Sequence, residues 1–369
     1  MYSKDQRIVA TLDAGGTNFV FSAIRANEFI IPPITIAAKA HDLDLCLNDM
    51  VNGFQQVFDQ LEEKPVAISF AFPGPADYPN GIIGGYLPNF PSFRDGVALG
   101  PFLSKKFGVP VYINNDGDLF TYGEALCGVL PEINERLKSV NSPKQFKNLI
   151  GYTFGTGLGI GIVVNQQLNQ GDNSCVETFC LPHKYIPNNI VEDGASIRAV
   201  CRVYGELSGK PNHGLTPKDI CMIADGTMEG NQEAARKAFA SFGEVAGEAI
   251  ATAMTLIDGV VVIGGGVIGA RKWIMPAILN VLRGNLNTLS GDTVGRIQSK
   301  VYDLDNDEEF AQFAQGKVKR LKVYGTDNDY VDYDVEKRTG IIVSRMGASH
   351  AVSVGAYAFA LSELDKKKV

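Results

Sequence analysis

No apolar run in the 369-residue chain reaches the length of about 18 residues that a membrane-spanning helix needs. Clustered cations are missing as well. The net charge is −7, and sequence-independent nucleic-acid binding requires basic patches that displace counterions. No CxxC occurs: Cys46, Cys127, Cys175, Cys180, Cys201 and Cys221 are scattered. That pattern predicts reduced, mostly buried thiols in a cytoplasmic chain. The opening stretch holds acidic Asp5 and Asp13 and lacks a signal-peptide pattern. A GxxxxGK[ST] phosphate loop is absent too. Charged residues are 20% and hydrophobic residues 45% of the chain, which excludes disorder and collagen-like repeats.

What the chain has in excess is glycine, with 40 residues, and their placement carries information. Residues 7–12 read as a strand, Asp13-Ala-Gly-Gly-Thr-Asn18 breaks it, and residues 19–24 resume an extended pattern. Residues 43–61 carry a helical apolar stripe. Strands follow at 65–72 and 109–113, helices at 100–107 and 119–126. A second series then begins, with a strand at 148–154, the turn Gly155-Thr-Gly157 and a returning strand at 160–164. Further on come a long helix at 234–257, an apolar strand at 259–263 ending in Gly264-Gly-Gly266, a strand at 340–344 and a closing helix at 351–364. Alternating strands and helices predict an α/β fold. The repeated glycine hairpin predicts two related halves.

A glycine turn frees successive backbone N–H groups to form an anion-binding nest. One such turn is equally at home in a plain hairpin. Two of them, each with a threonine, point to a nucleoside triphosphate clamped by both. Gly264 to Gly269 also fits GxGxxG after a strand, but no acidic residue follows about 20 positions on, as a dinucleotide site requires. Asn115-Asp116 ends a strand and precedes a helix, a position where an aspartate can accept a sugar hydroxyl proton. Equally, Asp116 or Asp118 can simply cap that helix.

Five motifs occur in order: DAGGTN (13–18), FPGPAD (72–77), INNDGD (113–118), TFGTGLGIG (153–161) and VIGGGV (262–267). Together they resemble the ROK family of sugar kinases and sugar-responsive repressors, in the hexokinase/actin-like superfamily. The resemblance implies two actin-like (ribonuclease H-like) α/β domains with a central cleft. These would be residues 1–126, joined by a C-terminal helix at 351–369, and residues 127–350. It implies an ATP-dependent hexose kinase, glucokinase-like or acting on a related hexose or amino sugar. Asp13, Gly15, Gly16, Thr17 and Asn18 would form the first phosphate loop, with Asp13 near Mg²⁺ through water. Gly155, Thr156 and Gly157 would form the second, while Gly264, Gly265 and Gly266 approach the adenosine. Asp116 would be the general base, and Asn89, Asn115, Asp116, Glu177 and Glu192 would bind the sugar.

The chain departs from the family between residues 171 and 200. Glu192-Asp-Gly-Ala-Ser196 matches a family element, and Glu177 is the counterpart of the family glutamate unless the alignment shifts to Thr178. The family cysteine cluster is missing. Cys175, Cys180 and His183 are three irregularly spaced candidates, fewer than the four ligands of structural zinc. No structural zinc is therefore expected, and these residues read as core thiols and a surface imidazole. Asp303-Leu-Asp305-Asn-Asp307 resembles the start of a calcium loop, but Glu308 and Ala314 replace the required glycine and glutamate, which leaves a solvated loop. The stretch 292–338 looks longer than in compact family members and receives no role. His41, His213 and His350 show no catalytic context. Twelve residues before Asp13 are too few for a helix-turn-helix. The alternative to a kinase is a non-catalytic sugar-sensing or regulatory protein of the family without a DNA-binding domain. A homodimer in the cytoplasm, with no nucleic-acid or membrane partner, completes the expectation.

Overall fold

The computed structural model describes residues 1–15, 17–211 and 214–367. Gly16 and His213 lie outside the described residues. The chain divides into two compact units: residues 1–128, 161–176 and 346–369 form the first, residues 129–160 and 177–345 the second.

The first unit is built on a mixed sheet. Strands β1 (Val9–Ala14) and β2 (Asn18–Arg25) form an antiparallel hairpin in which Ala14 pairs with Phe19. Strands β3 (Ala67–Ala71) and β4 (Val111–Asn114) add to β1 in parallel, giving the order β2-β1-β3-β4 with short strands edging β2. The register aligns Asp13 with Ala71 and Ala71 with Asn114, so three parallel strands end side by side. On one face lies helix α1 (Leu43–Asp59), whose N-cap Asp42 accepts the Leu45 N–H at 3.0 Å. Its Cys46, Met50, Phe54 and Val57 are fully buried against the sheet, following the 3.6-residue period. Gly53 is required there, because a Cβ would stand 2.2 Å from the Phe21 ring. The other face is covered by the closing helix Ala348–Lys366, whose Tyr357, Ala360 and Leu361 bury against Val9, Ile24 and Ala67.

The second unit repeats the plan. Strand β5 (Leu149–Phe154) leads through a turn into β6 (Leu158–Val164), within which the division between the units falls. Strands β7 (Val260–Gly264), β8 (Lys300–Asp303) and β9 (Arg338–Val343) are parallel, β7 pairing with β5 and β9, and β8 with β9. Every residue of β5 and β7 except Thr153 is buried, as expected of strands covered on both faces. The long helix Gln232–Ile257 starts at N-cap Asn231, which accepts the Ala234 N–H at 3.0 Å.

Two expectations fail. Asp303 to Asp307 is not a solvated loop: Leu304 is fully buried, and Asp305 Oδ2 accepts the Val343 N–H at 3.0 Å and lies 3.1 Å from Arg271. Asp305 thus fastens the end of β9 to the turn after β8, Asp303 Oδ1 accepts the Asp305 N–H at 3.0 Å, and of the three aspartates Asp307 alone is exposed. The thiol and imidazole expectations are reversed. Cys175 and Cys180 are exposed, and among the six cysteines only Cys46 is buried. His183 is 9% exposed, because its Nδ1 accepts the N–H groups of Tyr185 and Ile186, which turns the ring inward beneath Gly194. The 292–338 stretch contains an exposed hairpin, Val318–Lys322 with Tyr330–Asp334.

Candidate functional site

In the first unit, Asp13 is the penultimate residue of β1 and Asn115-Asp116 follows β4, so both acids stand near the carboxyl ends of parallel strands, with one strand between. At the usual inter-strand spacing that places them about 10 Å apart at the backbone. The chain turns sharply at Asn115, the N-cap of helix α2 (Asp116–Leu126), where Asn115 Oδ1 and Asp116 Oδ1 each accept the Gly117 N–H at 2.8 Å. Capping by Asn115 thus accounts for the helix start and leaves the second Asp116 oxygen outside the cap. Asp116 presents surface to solvent, yet protein crowds it on its remaining sides. That desolvation is the largest influence on its carboxyl and raises its pKa; the Gly117 N–H works against the shift, and the nearby Asp13 charge adds to it. Desolvation raises the Asp13 carboxyl also.

Two carboxylates that disfavour each other's ionisation, with oxygen donors directed to solvent, suit a hard divalent cation. Among the described residues no three His, Cys, Asp or Glu side chains cluster to hold a metal by themselves. Mg²⁺ characteristically uses one or two carboxylates together with substrate phosphates. Asp13 fits that role, so the residues fit the group.

The first glycine turn is tight, with the Gly15 N–H bonded to the Asn18 carbonyl at 3.0 Å. A Cβ at Gly15 would lie 2.9 Å from that carbonyl oxygen, so Gly15 is demanded by the turn itself. Thr17 and Asn18 are exposed, as is Asn89.

In the second unit the turn Gly155-Thr156-Gly157 is held from behind. The Gly155 carbonyl accepts the Ile197 N–H at 2.9 Å, and the Thr156 carbonyl accepts Arg198 Nη1 at 3.1 Å. With its carbonyls drawn to that side, the turn has no hydrogen bond to the Thr156 or Gly157 N–H among the described residues. Glu192 lies beneath the turn: Oε2 accepts the Leu158 N–H at 3.0 Å and Oε1 accepts Arg198 Nη2 at 2.9 Å. A Cβ at Gly157 would stand 2.6 Å from Glu192 Oε2, whereas one at Gly155 would meet nothing within 4 Å. The same contrast holds at the end of β7. Gly265 has φ +93° and would drive a Cβ to 2.3 Å from the Phe154 carbonyl, while Gly266 faces open space. Gly264 pairs with Thr153, which brings this cluster beside the turn. Fold requirements therefore explain Gly157 and Gly265 and leave Gly155 and Gly266 without a packing reason. Glu177 is half-buried, and its charge is felt by the buried Tyr152 hydroxyl, whose pKa is pushed up mainly by burial.

Arg198 escaped the sequence reading. A cation in a helix's first turn opposes the helix dipole, and that misfit next to Glu192 was the available signal.

The sequence profile of the ROK family matches residues 9–301. A solved glucokinase from Parabacteroides distasonis is 54% identical over 98% of this chain and 99% of its own, with a TM-score of 0.90. A ROK family glucokinase from Streptomyces griseus, solved with glucose and AMPPNP, shares the fold at 16% identity and a TM-score of 0.59, over 95% of this chain and 98% of its own. The xylose repressor of Bacillus spizizenii is 30% identical over 125 residues, 34% of this chain and only 28% of the repressor's length. The fold is that of the actin-like ATPases.

Proposed function

Because the chain belongs to the ROK family, we propose that it transfers the γ-phosphoryl group of ATP to a hydroxyl of a hexose or amino sugar, with Asp116 as the general base. The observation that carries this reading is the placement of Asp116 at the end of a parallel strand, one strand away from the strand end that carries Asp13, with its pKa raised by desolvation. A carboxylate of raised pKa is a better proton acceptor than one of ordinary pKa. Asp116 would take the proton from the sugar hydroxyl as that oxygen attacks phosphorus.

Asp13, Gly15, Gly16, Thr17 and Asn18 would line one side of the phosphates, and the free N–H groups of Thr156 and Gly157 would stabilise charge on the transferring group. Mg²⁺ near Asp13 would supply neutralisation of the phosphate charge. Gly264, Gly265 and Gly266 would pass close to the adenosine, which the open space at Gly266 supports. Asn89, Asn115, Glu177 and Glu192 would hold the sugar. Glu177 is preferred to Thr178 because the Thr178 hydroxyl is sealed from solvent. The same reading has a homodimer working in the cytoplasm, without a nucleic-acid or membrane partner. Among the described residues no helix is long and apolar enough to cross a membrane.

The likeness to a xylose repressor supports one other reading, a sugar-sensing or regulatory protein without catalysis. A coupled ADP-release assay with Mg-ATP separates the two. It should be run across glucose, mannose, fructose, allose, N-acetylglucosamine and N-acetylmannosamine. Sugar-dependent ADP release with at least one of them is expected. Saturable sugar binding with no turnover on any would favour the regulator.

A further inference from the structure

We propose that Arg198 is a positioning residue for phosphoryl transfer, holding the second glycine turn in its anion-receiving shape and tying that shape, through Glu192, to sugar occupancy. The inference rests on the kinase reading and goes beyond it by assigning the link between the two substrates. Helix α3 (Ile197–Ser208) carries Arg198 in its first turn, where the dipole disfavours a cation. The guanidinium offsets this with two directed bonds, one to the Thr156 carbonyl at 3.1 Å and one to Glu192 Oε1 at 2.9 Å.

These two bonds do different things. The first turns the Thr156 carbonyl away from the side on which a phosphate would lie, so the following N–H faces the anion. The second fixes the Glu192 carboxylate, whose other oxygen holds the Leu158 N–H at 3.0 Å, just past the turn. The turn from Gly155 to Leu158 is thus bracketed, and both brackets meet at Arg198. Glu192 has no slack in this arrangement, because Gly157 leaves room for its carboxylate only by lacking a Cβ. A carboxylate accepts through about four lone-pair sites, so a sugar hydroxyl can join the two donors already present. A hydroxyl that arrives or leaves changes how strongly Glu192 holds Leu158 and Arg198. Sugar on Glu192 would therefore stiffen the turn, and nucleotide in the turn would, by reciprocity, tighten sugar.

Arg198 is 59% exposed at its side chain, so truncation leaves no buried cavity. The test is calorimetry of AMPPNP and glucose, each titrated with and without the other, on wild type, Arg198→Ala and Arg198→Lys. Steady-state KM values accompany it. For Arg198→Ala we expect the KM for ATP to rise about tenfold or more, as befits loss of charge-assisted bonds. Glucose affinity without nucleotide should stay within about threefold, and the mutual tightening of the two ligands should vanish. Arg198→Lys, which can keep one bond but not both, should recover part of the ATP KM and little of the coupling. Unchanged coupling in Arg198→Ala, with wild-type ligand binding intact, would overturn the proposal alone. A wild-type chain that bound glucose but no AMPPNP would overturn the kinase reading and this proposal with it.

Discussion

Asp116, the proposed base, has a consequence for stability that does not depend on catalysis. Desolvation first, and the Asp13 charge in addition, raise its pKa. A carboxyl whose folded-state pKa exceeds its unfolded value favours folding below the unfolded value, and that contribution is lost as pH rises through the folded pKa. At neutral pH, above the unfolded value, the Asp116 carboxyl therefore weakens the fold relative to acid pH. Asp116→Asn should melt above the wild type at pH 7, and the gap should close as pH falls toward about 4, the ordinary carboxylate value. Thermal melts across that range check this; a variant that melts lower at pH 7 would show that the cap bond to Gly117 outweighs the charge. The glycines make a second residue-scale contrast. Gly155→Ala should melt like the wild type while binding ATP more weakly, since its Cβ enters open space on the ligand side. Gly157→Ala should lose stability as well, because its Cβ collides with Glu192. Equal melting temperatures for the two variants, measured by calorimetry, would contradict the assignment.

At the scale of elements, the first unit depends on helices that touch through glycine. A Cβ at Gly355 in the closing helix would fall 1.9 Å from the Leu119 carbonyl of α2, and one at Gly123 would fall 2.2 Å from the Ala351 carbonyl. Backbone atoms cannot move aside cheaply, so Gly355→Ala should cost about 1–3 kcal/mol or more. A denaturant melt with an unchanged midpoint would show that the helices slide apart freely. In the second unit, Arg338 is fully buried and bonds Asp334 at the base of the exposed hairpin, as well as the Phe313 carbonyl at 2.6 Å. Removing its partner in Asp334→Ala should destabilise by about 3–5 kcal/mol, because a buried guanidinium loses its counter-charge. An unchanged melt there would mean that solvent reaches the cation.

These elements differ in how far the sequence discloses them. The hairpin strands, the 43–59 helix and the 232–257 helix show in the periodicity because each buries a continuous apolar set. The hairpin at 318–334 gives no such signal, since its strands, VKRLK and YVDYD, have no regular apolar period and almost no buried residue. The positions of His183 and Asp305 do not show in the sequence, because His183 is turned by the backbone of Tyr185 and Ile186 to lie under Gly194, and Asp305 is held by Val343 and Arg271.

At the scale of the whole molecule, the order of the five motifs discloses the family, because each marks a place where backbone must approach something closely. The 54% identity over nearly all of both chains with a solved glucokinase extends that likeness to the full length. What the motifs do not disclose is which glycines serve the fold and which serve a ligand, a distinction that appears only when a Cβ is placed on the backbone. Arg198 was hidden for the same reason, since its partners are the Thr156 carbonyl and a glutamate six residues earlier. The most direct test of the account is rapid-quench transfer of labelled γ-phosphate from ATP to glucose, or to whichever sugar the panel selects, by wild type and Asp116→Asn. Calorimetry of the same sugar accompanies it. Sugar affinity should stay within about threefold and transfer should slow by about 10²-fold or more, the usual contribution of a general base. Transfer at near wild-type rate in Asp116→Asn, with sugar binding preserved, would remove Asp116 from the proton transfer.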